Sequence, residues 1–431
     1  MPEPAAPAAP LKRQSFPARS QPHVVRAPLA APLAASGRVA LLLDNLSAGG
    51  VQRVALTLAE TWRARGLAVD LLVCREGGAM ADQVPPGVSV TRLARAGGFD
   101  AGRGALRAAG WRAGPVLRLL RHGHTPAALR ALPALCEYLR AVRPAGLWSA
   151  KPMTSLLALW ARDLAAVPTR VVAVEQTHLG ERVRGAAAPY WREVPALVRT
   201  FYPDADALVA ASQGVAADLG QRLGPAAARV EVLPNPVRMP DPAGVPAPHP
   251  WLEGALPVVL GIGCLNAQKD FASLLQAFAQ LREQRPARLV ILGEGPLRED
   301  LEQQSRQLGI AADCLLPGFV REPAHWLRHA QLFCLSSRYE GFGMVVAEAL
   351  ACGCPVVSTD CPSGPAEILA HGRHGHLVPV GDPRRMAQAM QAALAQRWDR
   401  QRLQRRAAVY APQRIADRYL ELLIGQLTVA A

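Results

Sequence analysis

The chain has 431 residues, half of them hydrophobic, and a net charge of +14 carried almost wholly by arginine, because only Lys12, Lys151 and Lys269 are lysines. That length accommodates two domains with full cores, and no apolar run reaches the roughly 18 uninterrupted residues of a spanning helix, which excludes a chain built of membrane-spanning helices. Eight scattered cysteines contain no CxxC pair, and even Cys352, Cys354 and Cys361 lack partners at zinc spacing, so reduced and mostly buried thiols are expected, with no metal site.

Residues 1–37 are rich in Pro and Ala and carry Arg where a secretory signal needs an apolar core. They read as a disordered leader on a cytoplasmic protein. From Arg38 to residue 237, β-like runs (RVALLLDNL, AVDLLVCRE, VSVTRLA, GLWSA, RVVAVEQ, ALVAAS, VEVLPNPV) alternate with helical stretches, the pattern of a parallel sheet covered on both faces. Between the third and fourth runs lies a basic segment, 103–143, in which Arg118, Arg121, Arg130, Arg140 and Arg143 interleave with Leu and with Trp111. Such a segment can lie on an anionic membrane surface or form a solvated helix face. It carries no zinc-finger or RNA-recognition signature, and no nucleic-acid partner is expected.

Residues 238–256, with the run MPDPAGVPAPHPWLEGAL, are too rich in Pro for a strand or a helix and read as a linker. The alternation restarts over 257–398 with PVVLGIG, ARLVILGEG, CLLPGF, QLFCLSS, PVVST and HLVPV. The fold expected is α/β: two doubly wound, Rossmann-like domains whose strand ends face each other across a cleft, where ligands of such sheets bind. Residues 399–431 form C-terminal helices; the last, PQRIADRYLELLIGQL, has no strand after it and is expected to cross back to the first domain.

Several strand ends carry polar or glycine-bearing turns. Gly49 and Gly50 lie between the first strand and a helix, with Arg53 one turn further, where backbone amides can face a phosphate; close strand–helix packing explains the glycines equally well. GIGCLNAQKDF begins like a dinucleotide fingerprint, but Asn266 replaces the third glycine and no acidic residue follows at the usual distance, so NAD is not expected. Lys269 stands just before a helix in a chain that otherwise chooses Arg, which suits a compact charge on a diphosphate. Gly293, Glu294 and Gly295 mark another strand end, as does STDCPSGPAEIL. In EGFGMVVAEALA, Gly341 and Gly343 bracket a turn that opens a helix, whose unpaired amides and dipole favour an anion. Glu340 precedes that turn and Glu348 lies inside the helix; as an isolated pair they could equally be solvated carboxylates.

Taken together and in order, GGVQR, ADALVAASQGV, VLPNPV, QKDFASLLQAF, LGEGPLREDLE and SSRYEGFGMVVAEALACGCPVVSTDCPSGPAEI resemble the retaining glycosyltransferases of family 4, with the GT-B fold, over about residues 38 to 425. The resemblance implies that Glu340 contacts hydroxyls of the donor sugar and Glu348 the nucleotide ribose. Amides at Phe342, Gly343 and Met344 would face the sugar and diphosphate, Lys269 would neutralise the diphosphate, and Gly49 and Gly50 would approach it from the first domain. Glu294 joins this donor-binding set, and His178 in VEQTHLG resembles the histidine beside the donor sugar; a loop histidine satisfied by its own surroundings is the other reading.

The reaction implied is transfer from a nucleotide diphosphate sugar, with UDP the expected base, to a glycan or lipid-linked saccharide with retention at the anomeric carbon. It requires no cofactor and no metal. The only DxD, Asp204 to Asp206, precedes a strand instead of following one. Segment 103–143 would bring the protein to the inner membrane face. One departure stands out: the family's usual Arg five residues before the Lys is Cys264 here. Two alternatives share the fold, a nucleotide-sugar epimerase and a catalytically impaired membrane-surface binding protein.

Overall fold

The computed structural model describes residues 37–123, 126–240 and 245–425; apart from Gly37, the expected leader lies outside the described residues. Each of the thirteen β-like runs carries one strand. β1 (Arg38–Leu43), β2 (Ala68–Val73), β3 (Ser89–Arg92), β4 (Gly146–Ala150), β5 (Arg170–Glu175), β6 (Ala207–Ala210) and β7 (Val230–Val232) form a parallel sheet in the order β3-β2-β1-β4-β5-β6-β7. β8 (Val258–Ile262), β9 (Arg288–Leu292), β10 (Cys314–Gly318), β11 (Leu332–Leu335), β12 (Val356–Thr359) and β13 (His376–Val378) form the second, ordered β10-β9-β8-β11-β12-β13 and also parallel.

The central strands are buried on both faces, which is why they read as continuous apolar runs and not as alternating ones. Helices fill the two sides. In the first domain, one layer is built around Trp160 and Phe201, edge to face at 5.3 Å, and the other around Trp62, Trp148 and Tyr419. In both sheets the strand order reverses beside the first strand of the unit, between β1 and β4 and between β8 and β11. Such a reversal leaves a crevice outside the carboxyl ends of the strands, and it is there that the next elements place their polar side chains.

Two boundaries differ from the sequence reading. Within the linker, Pro250–Leu252 makes one turn of 3-10 helix, with His249 Nδ1 accepting from Trp251 N at 3.1 Å and its ring stacked on Trp326 at 6.0 Å. A proline at the first helical position has no amide to lose, so a Pro-rich run still allows a single capped turn. Helix Arg400–Ala407 stays with the second domain, burying Leu403 and Ala407 in its core. Only Pro412–Ile424 packs on the first, where Ile415, Tyr419 and Leu423 join its core and Trp62 Nε1 donates to Ala416 O at 3.1 Å.

The domains touch along the ends of β5 and β6. A Cβ on Gly341 would lie 1.8 Å from Gln176 O, so the backbone of the second domain presses on the first at a place only glycine permits. Ser212 Oγ donates to Gly341 O at 2.6 Å, and Glu367 accepts from Gln213 N and Gly214 N at 2.9 and 3.0 Å, occupying the start of helix Gln213–Leu223.

Candidate functional site

The loop after β8 and the loop after β11 lie side by side at the reversal point of the second sheet, and each contributes one charge. Lys269 Nζ lies 2.5 Å from Glu340 Oε1, and Ser337 Oγ donates to the same oxygen at 2.7 Å. The Lys269 stem runs over Gly263, where a Cβ would come within 3.1 Å of it. Glu340 is only 7% exposed, so the paired ammonium and hydroxyl are what make a buried carboxylate tolerable there. Gly343, at φ +88°, turns the chain into helix Met344–Ala351 and offers no side chain to cap it. Val346 N is taken by Gly343 O at 2.9 Å, which leaves the amides of Met344 and Val345 without an intrahelical acceptor beside a lysine, and this makes the corner suited to an anion.

Glu348 sits one turn along that helix and faces the other domain. Arg53 Nη1 donates to both of its carboxylate oxygens at 3.0 Å. Arg53 belongs to helix Gly50–Ala64, which begins after Gly49; a Cβ on Gly50 would meet Met344 Cγ at 3.5 Å. Gly49, Gly50, Met344 and Glu348 thus come together across the cleft. Arg53, Met80, Arg321, Met344 and Glu348 line a cavity of about 110 Å³ between the domains, and Arg321 Nη1 pairs with Asp82 Oδ2 at 2.5 Å near it. Arg53 is the residue that the sequence reading noticed without assigning. Its partner lies 295 positions away, and no local pattern announces such a pair.

His178 opens helix Leu179–Arg184 and caps it, Nδ1 accepting from Glu181 N at 3.3 Å. The nearby carboxylate of Asp218 is taken up by Gly180 N and by Arg222 Nη2 at 2.8 Å. His178 Nδ1 itself lies 3.4 Å from Asp218 Oδ1. The turn that carries His178 is held by a reciprocal pair, Gln176 Nε2 to Asn235 Oδ1 at 2.7 Å and Asn235 Nδ2 to Gln176 Oε1 at 2.6 Å. Just before it, the fully buried Glu175 accepts from Tyr202 Oη, and burial pushes its carboxyl up to about 8.

Three sequence-derived residues stand elsewhere. Glu294 is half exposed and pairs with Arg298 Nη1 at 3.2 Å, outside the Lys269–Glu340 contact. Cys264 is exposed on the same loop as Lys269; burial raises its thiol pKa while the lysine opposes that. Arg338, the guanidinium nearest the motif in sequence, pairs with Asp270 Oδ2 at 3.1 Å. The DxD lies at the amino end of β6: Asp204 pairs with Arg112 at 2.6 Å, while Asp206 accepts from Arg162 at 3.1 Å and from Val171 N at 2.8 Å. Among the described residues no group of three or more His, Cys, Asp or Glu is arranged to hold a metal ion, and all eight cysteines are free.

In segment 103–143 the arginines are partly spent within the fold. Arg118 pairs with Glu193 at 3.1 Å, and Arg130 and Arg140 donate to the carbonyls of Ala96 and Leu164. What faces outward is an apolar set, Phe99 (76% exposed), Trp111 (93%) and Leu117 (46%), flanked by exposed Arg103, Arg107 and Arg121. No helix of the described residues is long and apolar enough to cross a membrane.

Residues 48–239 match the family model described as Glycosyltransferase Family 4, and residues 252–410 match the one described as Glycosyl transferases group 1. Among curated proteins, the chain is 30% identical over 233 residues (53% of this chain, 63% of the relative) to the Campylobacter jejuni N-acetylgalactosamine-N,N'-diacetylbacillosaminyl-diphospho-undecaprenol 4-alpha-N-acetylgalactosaminyltransferase. It is 32% identical over 184 residues (41% and 49%) to the Escherichia coli lipopolysaccharide 1,6-galactosyltransferase. The chain thus spans less than two thirds of the length of these relatives. Among solved structures, Anabaena Alr3699/HepE in complex with UDP and glucose superposes with a TM-score of 0.69 at 18% identity, over 90% of this chain and all of that one. The fold these likenesses share with the two sheets is GT-B. The matches are to transferases and do not favour the epimerase or the binding-protein alternative.

Proposed function

From a GT-B chain whose two halves match glycosyltransferase models in succession, we propose a retaining glycosyltransferase that moves a sugar from a nucleotide diphosphate sugar, with UDP as the base, to a lipid-linked or other glycan acceptor. The observation that carries this reading is the Lys269–Glu340 contact at the uncapped start of helix Met344–Ala351. A diphosphate seated there meets an ammonium and a set of backbone donors, while Glu340 can accept from sugar hydroxyls on the adjoining side. Glu348, on the wall of the interdomain cavity, is left for the ribose. His178, at the start of helix Leu179–Arg184, would stand beside the sugar.

In the step proposed, the bond from the anomeric carbon to the diphosphate oxygen breaks, and the acceptor oxygen bonds to the same face of that carbon. The acceptor's proton passes to the departing diphosphate oxygen. This chain has only to hold the two partners in place and to stabilise charge on the leaving group, which Lys269 and the helix amides do. No metal has a part in this reading, and the DxD is committed to arginines and backbone. Phe99, Trp111 and Leu117 with their flanking arginines would seat the first domain on the anionic cytoplasmic face of a membrane, where a lipid-carried acceptor resides.

Thermal stabilisation by UDP, GDP, TDP and their sugar conjugates is the direct test, because a ligand at 100 times its Kd adds about 2.7 kcal/mol. The reading requires one base to stabilise the protein and Lys269→Ala and Glu348→Ala to abolish the shift. A protein indifferent to every nucleotide would overturn it. Product from a labelled donor in the presence of EDTA, with its anomeric configuration read by NMR, tests retention and metal independence together.

A further inference from the structure

The donor reading uses the reversal point of the second sheet, and at that of the first sheet it draws only on Gly49 and Gly50, leaving the charges beside β4 without a task. There, Lys151 follows β4 and Asp44 follows β1, at the crevice where the two strands' connections diverge to opposite sides. We infer that Lys151, Arg75 and Arg182 form a second anion site at this edge, which takes a phosphate or diphosphate group of the acceptor. The inference rests on the transferase reading and names the class of acceptor that the reading leaves open.

Lys151 holds φ +79° and ψ +148°, a conformation rarely adopted by residues other than glycine, and the structure spends it on projecting a side chain. Its backbone is fixed, N donating to Val174 O and O accepting from Ser155 N, both at 3.1 Å, whereas its ammonium has no hydrogen bond or ion pair among the described residues. Burial lowers its pKa, Asp44 opposes that, and Arg182 and Arg75 lower it further. The local balance is three cations against one carboxylate. Asp44 is already held by Arg75 Nε at 3.0 Å, and Glu181, on the same helix as Arg182, is paired with Arg184. Arg182 lies over the Trp191 ring at 5.0 Å, which fixes its guanidinium without neutralising it.

An incoming phosphate would supply the counter-charge that Lys151 and Arg182 lack and could share Arg75 with Asp44, in a setting where charge-assisted hydrogen bonds are short and strong. The location suits an acceptor. The helix carrying Arg182 ends at Gly185, where a Cβ would come within 3.7 Å of Tyr339 Oη, the neighbour of Glu340. The helix that carries Arg182 thus runs from the first domain to the edge of the loop that bears Glu340, the side from which an acceptor would approach the sugar.

The test is calorimetric titration of inorganic pyrophosphate into the full chain saturated with UDP, so that the donor site is filled. The expected result is binding by the wild type that weakens at least 10-fold in Lys151→Met and in Arg182→Met, with UDP affinity unchanged. Arg182 is exposed, so that variant keeps the fold even if the first does not. Lys151→Gly should raise the melting temperature by removing the strain and still lose pyrophosphate. Pyrophosphate that does not bind beside UDP, or that binds both variants like the wild type, overturns the inference and leaves the donor reading intact. If UDP itself does not bind, the donor reading fails, and the same titration without UDP in a Lys269→Ala background still reads the Lys151 site. Competition by farnesyl diphosphate points to a lipid carrier, and competition by glucose 1-phosphate to a soluble phosphosugar.

Discussion

Arg53 Nη1 donates to both carboxylate oxygens of Glu348 at 3.0 Å, joining the first helix of one domain to the site helix of the other. A residue proposed to hold a ribose thus already has a partner from across the cleft. A pair this size contributes on the order of 1 kcal/mol, and the ribose hydroxyls must share or replace it. Arg53→Ala is therefore expected to tighten UDP binding, by up to about fivefold, while loosening the contact between domains. Isothermal titration reads the first effect, and an unchanged or weaker Kd would mean that Arg53 does not compete with the nucleotide.

Lys269 and Glu340 form the tighter of the two contacts, with side chains 18% and 9% exposed. Removing one partner leaves an uncompensated charge, so Lys269→Ala should destabilise the protein by roughly 3 kcal/mol as well as disable the site. The double variant Lys269→Met/Glu340→Gln removes both charges and should recover most of that stability. Turnover should stay at least about 100-fold down in both, since neither supplies a cation to the leaving group. Urea denaturation separates the two effects; a double variant as unstable as the single one would argue against the pair as the cause.

Glu175 offers a pH signature of the fold. Burial raises its carboxyl from the ordinary 4.5 to about 8. Between those values the folded protein keeps a proton that the unfolded chain has released. Stability is therefore full below about pH 4.5 on this account, falls as pH rises, and has lost the contribution by about pH 8. Glu175→Gln keeps an acceptor for the Tyr202 hydroxyl and removes the titration. Melting temperatures from pH 5 to 9 should slope downward in the wild type and be flatter in the variant; parallel slopes would reject the assignment to Glu175.

The strands were legible because parallel strands buried on both faces leave unbroken apolar runs such as VALLL and LVIL, bounded by turns. The glycine-bracketed turn before Met344 was legible for a similar reason: Gly341 and Gly343 are demanded locally, by a 1.8 Å approach to Gln176 O and by a positive φ. Partnerships between distant charges were not. Arg53 with Glu348, and Lys151 among Arg75 and Arg182, depend on how two strand-end loops are placed in space, and nothing at short range in the chain encodes that. Arg130 and Arg140 misled in the opposite direction, since a basic run gives no sign of which guanidiniums are spent on backbone carbonyls.

Cys264 stands exposed on the Lys269 loop, where the resemblance implies an arginine. Loss of one donor to a developing oxyanion costs roughly 2.7 to 4 kcal/mol of transition-state stabilisation in oxyanion-hole enzymes, which sets the scale for a donor to the leaving diphosphate. Cys264→Arg is expected to raise turnover or donor affinity, with Cys264→Ser as the control that should do neither. Steady-state kinetics with the preferred donor decide it, and a folded Arg variant with wild-type constants would show that the diphosphate does not reach this position.

Trp111 is 93% exposed, Phe99 and Leu117 on the helical segments before and after it are exposed too, and so are Arg103, Arg107 and Arg121 of the same segments. Placing an indole in the headgroup region recovers part of the 1.5 to 3 kcal/mol that burying a large apolar side chain yields, or roughly 10-fold in partitioning. Each nearby arginine adds about 1 kcal/mol on an anionic surface and nothing comparable on a neutral one. Flotation with phosphatidylglycerol vesicles at low salt should therefore recover the protein, and phosphatidylcholine vesicles should not. Trp111→Glu should lower recovery about 10-fold, and 0.5 M salt should lower it for wild type and variant alike, because the electrostatic part is screened. Transfer to a soluble acceptor should be the same in both proteins, since no residue of these helices belongs to the Lys269–Glu340 site. Wild-type flotation by Trp111→Glu would return these helices to the role of a solvated face.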